Sequence, residues 1–396
     1  MPETIDALAL TDGKRLAIVA DGDGLAALPM MRDPDGQWRR ASAGDGVAEA
    51  LLDVLARKPG SVTRGHFTIR SWTERSASGE RAVGVDQTNE SVIVGDAAVV
   101  KWATHLQEGP HPAPRRIAVL REAGFGGMPT PWGLVTWRPA NGAETLAASV
   151  DKYLPGAVDG WTWAVDLITA AAGSGDVVAV AGATAQVGTL VADMHAAFGG
   201  TATVASTQDG QRWRDAAFDL LEHACSLHDL ASARRSEIAL VLEGLGALAG
   251  TPVIEGHGDL HVGQVLLSDG KFFVTDFDGN PVLPAPQRVL PIPAAVDVAG
   301  MVQSLAHAAI VAQKYTDLDP AGLADVDAEA RSAFLGAYQR HLASRGAAEL
   351  FDVGPLKAFR MQQALREIIY AAKHLRRWMY VPDAALPALL DEGVPS

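Results

Sequence analysis

The chain has 396 residues, 48% of them hydrophobic and 20% charged, which is the composition of a globular protein with room for two or three folding units. Its net charge is −14, and its short basic clusters form no stripe along the sequence. These features argue against DNA or RNA as a partner, because nucleic-acid-binding proteins usually present a basic surface to the phosphates.

Nothing in the sequence indicates secretion or a membrane anchor. Cys225 stands alone, so no internal disulfide can form, as is usual in a reducing compartment. The first residues lack the basic start of a secretory signal. No apolar run reaches the ~20 residues that span a membrane. We therefore expect a cytoplasmic protein without membrane contact, whose oligomeric state the sequence leaves open.

Residues 1–82 alternate short β-like runs with turn signals and are predicted to form an N-terminal cap subdomain. The runs 15–20 and 25–31 are each followed by a turn rich in Asp and Gly, which predicts hairpins. Residues 47–57 have helical spacing, and 63–73 are predicted as one further strand. The cap carries no recognisable chemistry.

Residues 83–155 are predicted to form a strand-rich lobe. Its strands are predicted at 82–87, 91–94, 97–102, 132–137 and 145–154. A helix is predicted at 115–123, between the third and fourth strands. The strand pattern ends at Pro155-Gly156, and this predicts a hinge.

Residues 156–396 are predicted to form a mainly helical lobe. Apolar residues recur at helical spacing in 158–172, 183–198, 212–228, 231–248, 297–313, 325–344 and 355–379. Two short strands, 265–267 and 272–276, interrupt the helices. The whole chain is thus predicted to be of the α+β class, with strands first and helices second.

One stretch of this second part has the polar groups that phosphoryl transfer requires. It reads His257-Gly258-Asp259-Leu260-His261-Val262-Gly263-Gln264. Asp259 on a loop can orient an attacking hydroxyl. Gln264 and Asp276, which ends the following strand, offer the oxygen ligands that Mg²⁺ prefers. The hairpin between them would fold these two ligands back toward each other.

The same stretch resembles the catalytic loop of aminoglycoside-phosphotransferase-like kinases, most closely the maltokinase and glucosamine kinase branch. The branch shares H-G-D-x-H-x-G-Q followed by D-F-[DE]-G-x-P, here residues 276–281. The likeness covers residues 85–380 and implies a bilobal protein-kinase-like fold. It also implies an enzyme that moves a phosphoryl group from ATP to a sugar hydroxyl. By resemblance, Asp259 is the catalytic base, and Gln264 and Asp276 bind Mg²⁺.

The resemblance also assigns residues to the nucleotide. Lys101, at the end of the third strand, is expected to contact the phosphates. The hairpin turn with Thr88 and Ser91 can cover the phosphates through backbone N–H groups and hydroxyls, although it lacks the glycines of a protein-kinase loop. The backbone at the hinge is expected to hold the adenine; the hinge residues are Lys152, Tyr153 and Leu154.

One part of the kinase pattern is missing after Lys101. Protein kinases pair this lysine with a glutamate of the next helix. The helix here has Arg115 and Arg116 at the expected place, and Glu122 comes late. The partner of Lys101 is therefore left unassigned.

The helix predicted late in the chain offers a polar face for the acceptor. This face consists of Gln363, Glu367, Tyr370, His374 and the nearby Trp378. Amide and carboxylate groups suit sugar hydroxyls, and aromatic rings suit the C–H faces of a sugar. His261 is assigned to the acceptor as well. Because Glu367 can pair with an ammonium group, we expect glucosamine, giving the 6-phosphate, ahead of maltose.

Three other functions stay open on the sequence. A maltokinase would form maltose 1-phosphate. A zinc-dependent hydrolase is conceivable because histidines flank Asp259 at 257 and 261. The third is a nucleotide-binding scaffold without catalytic activity, although the chain retains Asp259, Gln264 and Asp276.

Overall fold

The structure is a computed structural model that describes residues 3–22, 24–83 and 90–392. The chain forms two compact units, each built from separate parts of the sequence. The first comprises Met1–Arg121, Met128–Gly156 and Phe277–Leu290. The second comprises Glu122–Gly127, Ala157–Asp276 and Pro291–Ser396.

The first unit begins with an antiparallel sheet whose four strands follow one another in sequence order. The strands are β1 (Thr4–Thr11), β2 (Lys14–Asp21), β3 (Gly24–Arg32) and β4 (Trp38–Arg40). Helix α1 (Val47–Ala56) follows, and its apolar side chains, such as Leu51 and Leu52, are completely buried.

A seven-stranded antiparallel sheet makes up most of the rest of this unit, in the order β5-β6-β10-β11-β9-β8-β7. Its strands are β5 (Gly60–Arg64), β6 (Phe67–Ser71), β7 (Glu80–Ala82), β8 (Glu90–Val94), β9 (Ala98–Trp102), β10 (Pro131–Trp137) and β11 (Thr145–Lys152). Helix α2 covers Ala113–Glu122.

The predicted cap and the predicted strand-rich lobe share one core. A single buried cluster runs from Leu8 to Val150 and includes side chains of α1 and of both sheets. The predicted boundary at residue 82 lies within the seven-stranded sheet, where β7 pairs with β8. The single strand predicted at 63–73 is wrong: Gly65 adopts a φ of 59°, and the chain turns back there to form the β5–β6 hairpin.

The second unit is mainly helical, as predicted. Its helices are α3 (Gly160–Ser174), α4 (Val178–Phe198), α5 (Thr207–Leu227), α6 (Asp229–Ala233), α7 (Arg235–Glu243), α9 (Ala294–Tyr315), α10 (Pro320–Ser344), α11 (Leu356–His374) and α12 (Tyr380–Asp391). The one-turn helix α8 (Ala285–Arg288) belongs to the first unit. Short strand pairs join β12 (Thr203–Val204) to β13 (Pro252–Val253), and β14 (Val265–Ser268) to β15 (Lys271–Val274).

Two predicted helices are shorter than expected because a residue within each leaves the helical conformation. Arg234, with φ −98° and ψ 12°, separates α6 from α7. Leu375, with φ −145° and ψ 64°, ends α11, and Arg376–Trp378 form a 3₁₀ turn. Trp378 therefore lies beyond the helix that was predicted to carry it.

Helix α9 is long and apolar enough to cross a membrane by length and composition. However, 72% of its most apolar window is buried inside the protein, as in the core helix of a globular domain. The sequence prediction of a helix at 297–313 covers most of this element.

Candidate active site

The loop that carries Asp259 is held by a buried carboxylate of helix α9. Asp297 accepts hydrogen bonds from the backbone N–H of His257 at 2.6 Å and of Gly258 at 2.8 Å. His195 of α4 also contacts Asp297, with 3.2 Å between Nε2 and Oδ2. Burial raises the pKa of Asp297, but the hydrogen bonds and charges of these histidines outweigh it, so the pKa is lowered. The loop is thus anchored to an ionised, buried side chain.

Two glycines allow the loop to pack closely against helices. A Cβ on Gly160, at the start of α3, would lie 1.7 Å from the carbonyl oxygen of Val262. A Cβ on Gly300 of α9 would lie 2.1 Å from the carbonyl oxygen of Leu260. Real side chains never approach a carbonyl so closely, so both positions require glycine.

Gln264 and Asp276 meet, as the sequence predicts. The β14–β15 hairpin returns the chain so that the N–H of Thr275 donates to the carbonyl oxygen of Gln264 at 2.8 Å. The Gln264 amide Nε2 then lies 3.4 Å from Oδ2 of Asp276. Asp276 has a φ of 65°, a left-handed conformation that is uncommon for a residue with a side chain.

These two side chains fit a magnesium site. Their carboxylate and carboxamide oxygens are hard donors of the kind that Mg²⁺ prefers, and the Asp276 carboxylate is exposed and open to a ligand. By contrast, no group of three His, Cys, Asp or Glu side chains is arranged to hold a metal ion within residues 3–22, 24–83 and 90–392. The zinc-hydrolase alternative therefore receives no support from the geometry.

Asp259 lies in the same cluster and is partly buried. Burial raises the pKa of the Asp259 carboxyl, and the charge of Asp276 adds to the rise, whereas His261, His257 and Arg366 oppose it. Burial lowers the pKa of His261, which favours the neutral imidazole, and its Nδ1 accepts a hydrogen bond from the N–H of Gly263 at 3.1 Å. A carboxylate that is partly desolvated and close to the predicted magnesium ligands suits a group that takes a proton.

Most of the predicted acceptor face is found near this cluster. Gln363 donates from Nε2 to Oε1 of Glu367 at 3.3 Å, and Glu367 also hydrogen-bonds to the Trp378 side chain. Burial raises the pKa of Glu367, and these two hydrogen bonds oppose the rise. Tyr370 is 50% exposed and its ring contacts His374, with 5.4 Å between centroids. Its place in the site stays a prediction.

Aromatic rings link the acceptor face to the catalytic loop. Trp161 stacks on His261 with 6.2 Å between ring centroids and meets Trp378 edge-on at 6.1 Å. Trp161 and Arg366 are two residues of this region that sequence reasoning missed. Trp161 could have been found through its position directly after Gly160 in a stretch that shares the family likeness. Arg366 could have been found because it is three residues from Gln363, on the same helix face.

The residues predicted to bind the nucleotide lie in the first unit. Lys101 of β9 is paired with Ser91 of β8 on one side and with Ser149 of β11 on the other. Ser91 is 8% exposed. Thr88 lies outside the described residues. Whether these side chains contact ATP stays a prediction.

The residues predicted to form the hinge begin with Lys152, the last residue of β11. The N–H of Lys152 donates to the carbonyl oxygen of Thr130 at 2.8 Å, and the N–H of Tyr153 donates to that of Ala97 at 2.9 Å. Leu154 follows and is partly buried. The Lys152 side chain is exposed and lines a cavity of about 420 Å³.

A carboxylate on a neighbouring strand accompanies Lys101. Asp151 is paired with Val99, so it lies diagonally across from Lys101 on the same face of the sheet, within reach of a long side chain. Burial raises the pKa of Asp151 to about 6, and the charge of Lys101 opposes the rise. Arg116 of α2 lies where a protein kinase has the glutamate that pairs with this lysine. It is buried and donates to the carbonyl oxygens of Phe277 at 3.1 Å and Arg288 at 2.9 Å. Asp151 is therefore the acidic group near Lys101 that the sequence reading did not identify.

Comparisons with known proteins agree with this description. No family model matches the chain. A glucosamine kinase of Mycolicibacterium smegmatis is 60% identical over 395 residues, or 98% of each chain. A glucosamine kinase of Streptacidiphilus jiangxiensis is 45% identical and covers 99% of this chain and 92% of its own. A glucosamine kinase solved in complex with glucosamine, ADP and inorganic phosphate has a TM-score of 0.87 at 42% identity, covering 98% of this chain and 94% of that one.

These similarities extend over nearly the whole length of the chain. The predicted kinase-like α+β fold and the predicted likeness to glucosamine kinases are confirmed. The part of the prediction that named maltokinases stays a prediction. The chain belongs to the glucosamine kinase family.

Proposed function

We propose that this protein transfers the γ-phosphoryl group of ATP to glucosamine, giving glucosamine 6-phosphate and ADP. The observation that carries the proposal is the convergence of Asp259, Gln264 and Asp276. They lie beside the polar acceptor face that includes Gln363 and Glu367. The names of the close relatives, and the relative solved with glucosamine and ADP, support the same substrates.

Asp259 acts on the acceptor hydroxyl. Its carboxylate accepts the hydroxyl hydrogen bond and aligns the oxygen with the γ-phosphorus. The new bond forms between this oxygen and phosphorus, while the bond from phosphorus to the β–γ bridging oxygen breaks. ADP leaves with that electron pair, and the hydroxyl proton passes to Asp259. Mg²⁺, bound by Gln264 and Asp276, would neutralise charge on the phosphates.

The first unit holds the nucleotide in this proposal. Lys101 contacts the phosphates, and Asp151 keeps the lysine side chain directed along the sheet face. Ser91, on the strand next to Lys101, would provide a further phosphate contact through its hydroxyl. The backbone of Tyr153 and Leu154 contacts the adenine.

The acceptor face explains a preference for an amino sugar. Glu367 provides a negative charge for the ammonium group, and Gln363 provides an amide for a hydroxyl. The indole rings of Trp161 and Trp378 offer apolar faces to the C–H groups of the ring. His261, stacked on Trp161, completes this set.

A panel of acceptors tests the proposal. ADP release should be measured by a coupled assay with glucosamine, glucose, maltose and an aminoglycoside, each with ATP and Mg²⁺. We expect the highest kcat/KM with glucosamine and loss of activity when Mg²⁺ is chelated. Equal or greater turnover of maltose would contradict the choice of glucosamine. ATP-independent hydrolysis, abolished by a zinc-selective chelator, would contradict the kinase itself.

The proposed location is the cytoplasm, where ATP is available and where the free thiol of Cys225 stays reduced.

A further inference from the structure

Arg366 of α11 is a partly buried cation whose hydrogen-bonding capacity is largely unused. Its Nη1 donates to Oε1 of Gln363 across 3.4 Å, a long contact to a neutral amide. Its Nε is buried and has no hydrogen-bond partner among the described residues. Asp259 and Glu367 are close enough to interact with its charge, but neither forms an ion pair with it in the described part of the chain.

This arrangement is costly for a purely structural residue. A guanidinium that is removed from water loses favourable hydration unless a partner replaces the water. Two other arginines of the chain, both buried, have such partners. Arg116 donates to the carbonyl oxygens of Phe277 and Arg288, and Arg360 of the same helix α11 is held by Glu392 and Gln303. Arg366 is therefore poised to bind a group that arrives with the substrates.

The surrounding charges indicate what that group is. Asp259 and Glu367 would repel any anion that came between them without a cation. The transfer nevertheless converts a neutral hydroxyl beside Asp259 into a phosphate ester that carries about two negative charges. A guanidinium with free N–H groups is the side chain best suited to bind the oxygens of such a group.

We propose that Arg366 is a catalytic residue that binds the phosphoryl group during its transfer and in the sugar phosphate product. This inference rests on the proposed function. The guanidinium neutralises the charge that develops on the phosphoryl oxygens as the acceptor oxygen bonds to phosphorus and ADP departs. It also keeps the phosphate product from being repelled by Asp259 before release.

Two substitutions separate this role from a structural one. Arg366→Met removes the charge and keeps much of the apolar stem, and Arg366→Lys keeps the charge without the planar fork. Lys373→Met is the matched control, because it removes a positive charge from an exposed position on the same helix. Each variant should be measured for kcat, for KM of glucosamine and ATP, and for inhibition by glucosamine 6-phosphate.

We expect Arg366→Met to lower kcat by about 10²- to 10³-fold, the usual effect of losing one charge-stabilising donor. The KM of glucosamine should change by less than about threefold, since the contact forms only in the transition state and product. Inhibition by glucosamine 6-phosphate should weaken at least about tenfold, and Arg366→Lys should recover part of kcat. Lys373→Met should behave like the wild type.

The melting temperature provides an independent check. Because Arg366 lacks an ion pair, Arg366→Met should leave the melting temperature unchanged or raise it. A kcat within threefold of wild type, or a higher KM of glucosamine at unchanged kcat, would overturn the inference. So would a large drop in melting temperature with unchanged product inhibition. Wild-type ADP release that does not depend on glucosamine would instead overturn the proposed function, and the inference with it.

Discussion

At the scale of single residues, the backbone of Asp276 is the most unusual feature of the site. With a φ of 65°, Asp276 occupies a region that costs about 1–3 kcal/mol for many side chains, although aspartate tolerates it better than most. The conformation places its carboxylate beside the Gln264 amide. Strain at a residue whose carboxylate is exposed fits a role in binding a metal ion better than a role in stability.

The proposed magnesium site leads to a prediction for Gln264 variants. Gln264→Leu keeps the side-chain size but removes the carbonyl oxygen, so the Mg²⁺ concentration for half-maximal activity should rise about 10- to 100-fold. Gln264→Asn, which keeps the oxygen on a shorter side chain, should show a smaller rise. Titration of ADP release with MgCl₂ measures both. An unchanged Mg²⁺ dependence in Gln264→Leu would show that this residue is not a ligand.

Local sequence predicted the residues whose chemistry depends on spacing. Asp259, Gln264 and Asp276 follow a recognisable pattern, and the hairpin that joins two of them has clear strand signals. Arg366 and Asp151 were missed, because their significance depends on burial and on neighbours from distant parts of the chain. An arginine on a helix is usually solvated, and the spacing of Arg366 from Gln363 indicates a shared helix face but not its partial burial.

At the scale of secondary-structure elements, three helices cooperate to hold the catalytic loop. His195 of α4 contacts Asp297 of α9 through Nε2 and Tyr338 of α10 through Nδ1, the latter at 2.8 Å. The imidazole donates to the Asp297 carboxylate through Nε2–H, and its other nitrogen is paired with the tyrosine hydroxyl. Because Asp297 in turn holds His257 and Gly258, the order of the loop depends on all three helices.

Substitution of His195 tests this arrangement. His195→Phe should lower the free energy of unfolding by about 3 kcal/mol or more, because Asp297 would lose a partner while remaining buried. Tyr338→Phe, which leaves the carboxylate paired, should cost only about 1 kcal/mol. Urea denaturation measures both values. Equal effects of the two substitutions would show that the Asp297 contact contributes little.

The pairing of strands β9 and β11 leads to a pH-dependent prediction. The pKa of Asp151 is raised from 3.8 to about 6, so ionisation of this side chain destabilises the folded protein as pH rises through that range. Asp151→Asn should therefore increase the free energy of unfolding at about pH 7.5, by at most about 3 kcal/mol for a shift of about two pKa units. The gain should shrink as the pH falls toward 3.8.

The same variant should bind ATP less well. Without a carboxylate near it, Lys101 loses its charge partner, and the KM of ATP should rise several-fold at neutral pH. Urea denaturation at two pH values measures the change in stability, and ATP kinetics measure the change in KM. A less stable Asp151→Asn protein at neutral pH would mean that the attraction between Asp151 and Lys101 outweighs the cost of burying the carboxylate.

At the scale of the whole molecule, the order of elements was predictable but their grouping was not. Strands precede helices along the chain, as the apolar periodicity indicates. However, residues 277–290 return to the first unit, directly after Asp276, and residues 122–127 belong to the second. Contacts between distant segments decide such exchanges, and no linear division of the sequence at 82 and 155 could represent them.

The central claim is that Asp259 directs phosphoryl transfer from ATP to glucosamine. The most direct test is Asp259→Asn, in which glucosamine-dependent ADP release and the Kd of ADP are measured on the same preparation. We predict that kcat falls by at least about 10³-fold, because the group that accepts the proton is lost, while the Kd of ADP stays within about threefold of the wild-type value. Turnover within tenfold of wild type, with glucosamine still required, would contradict the account.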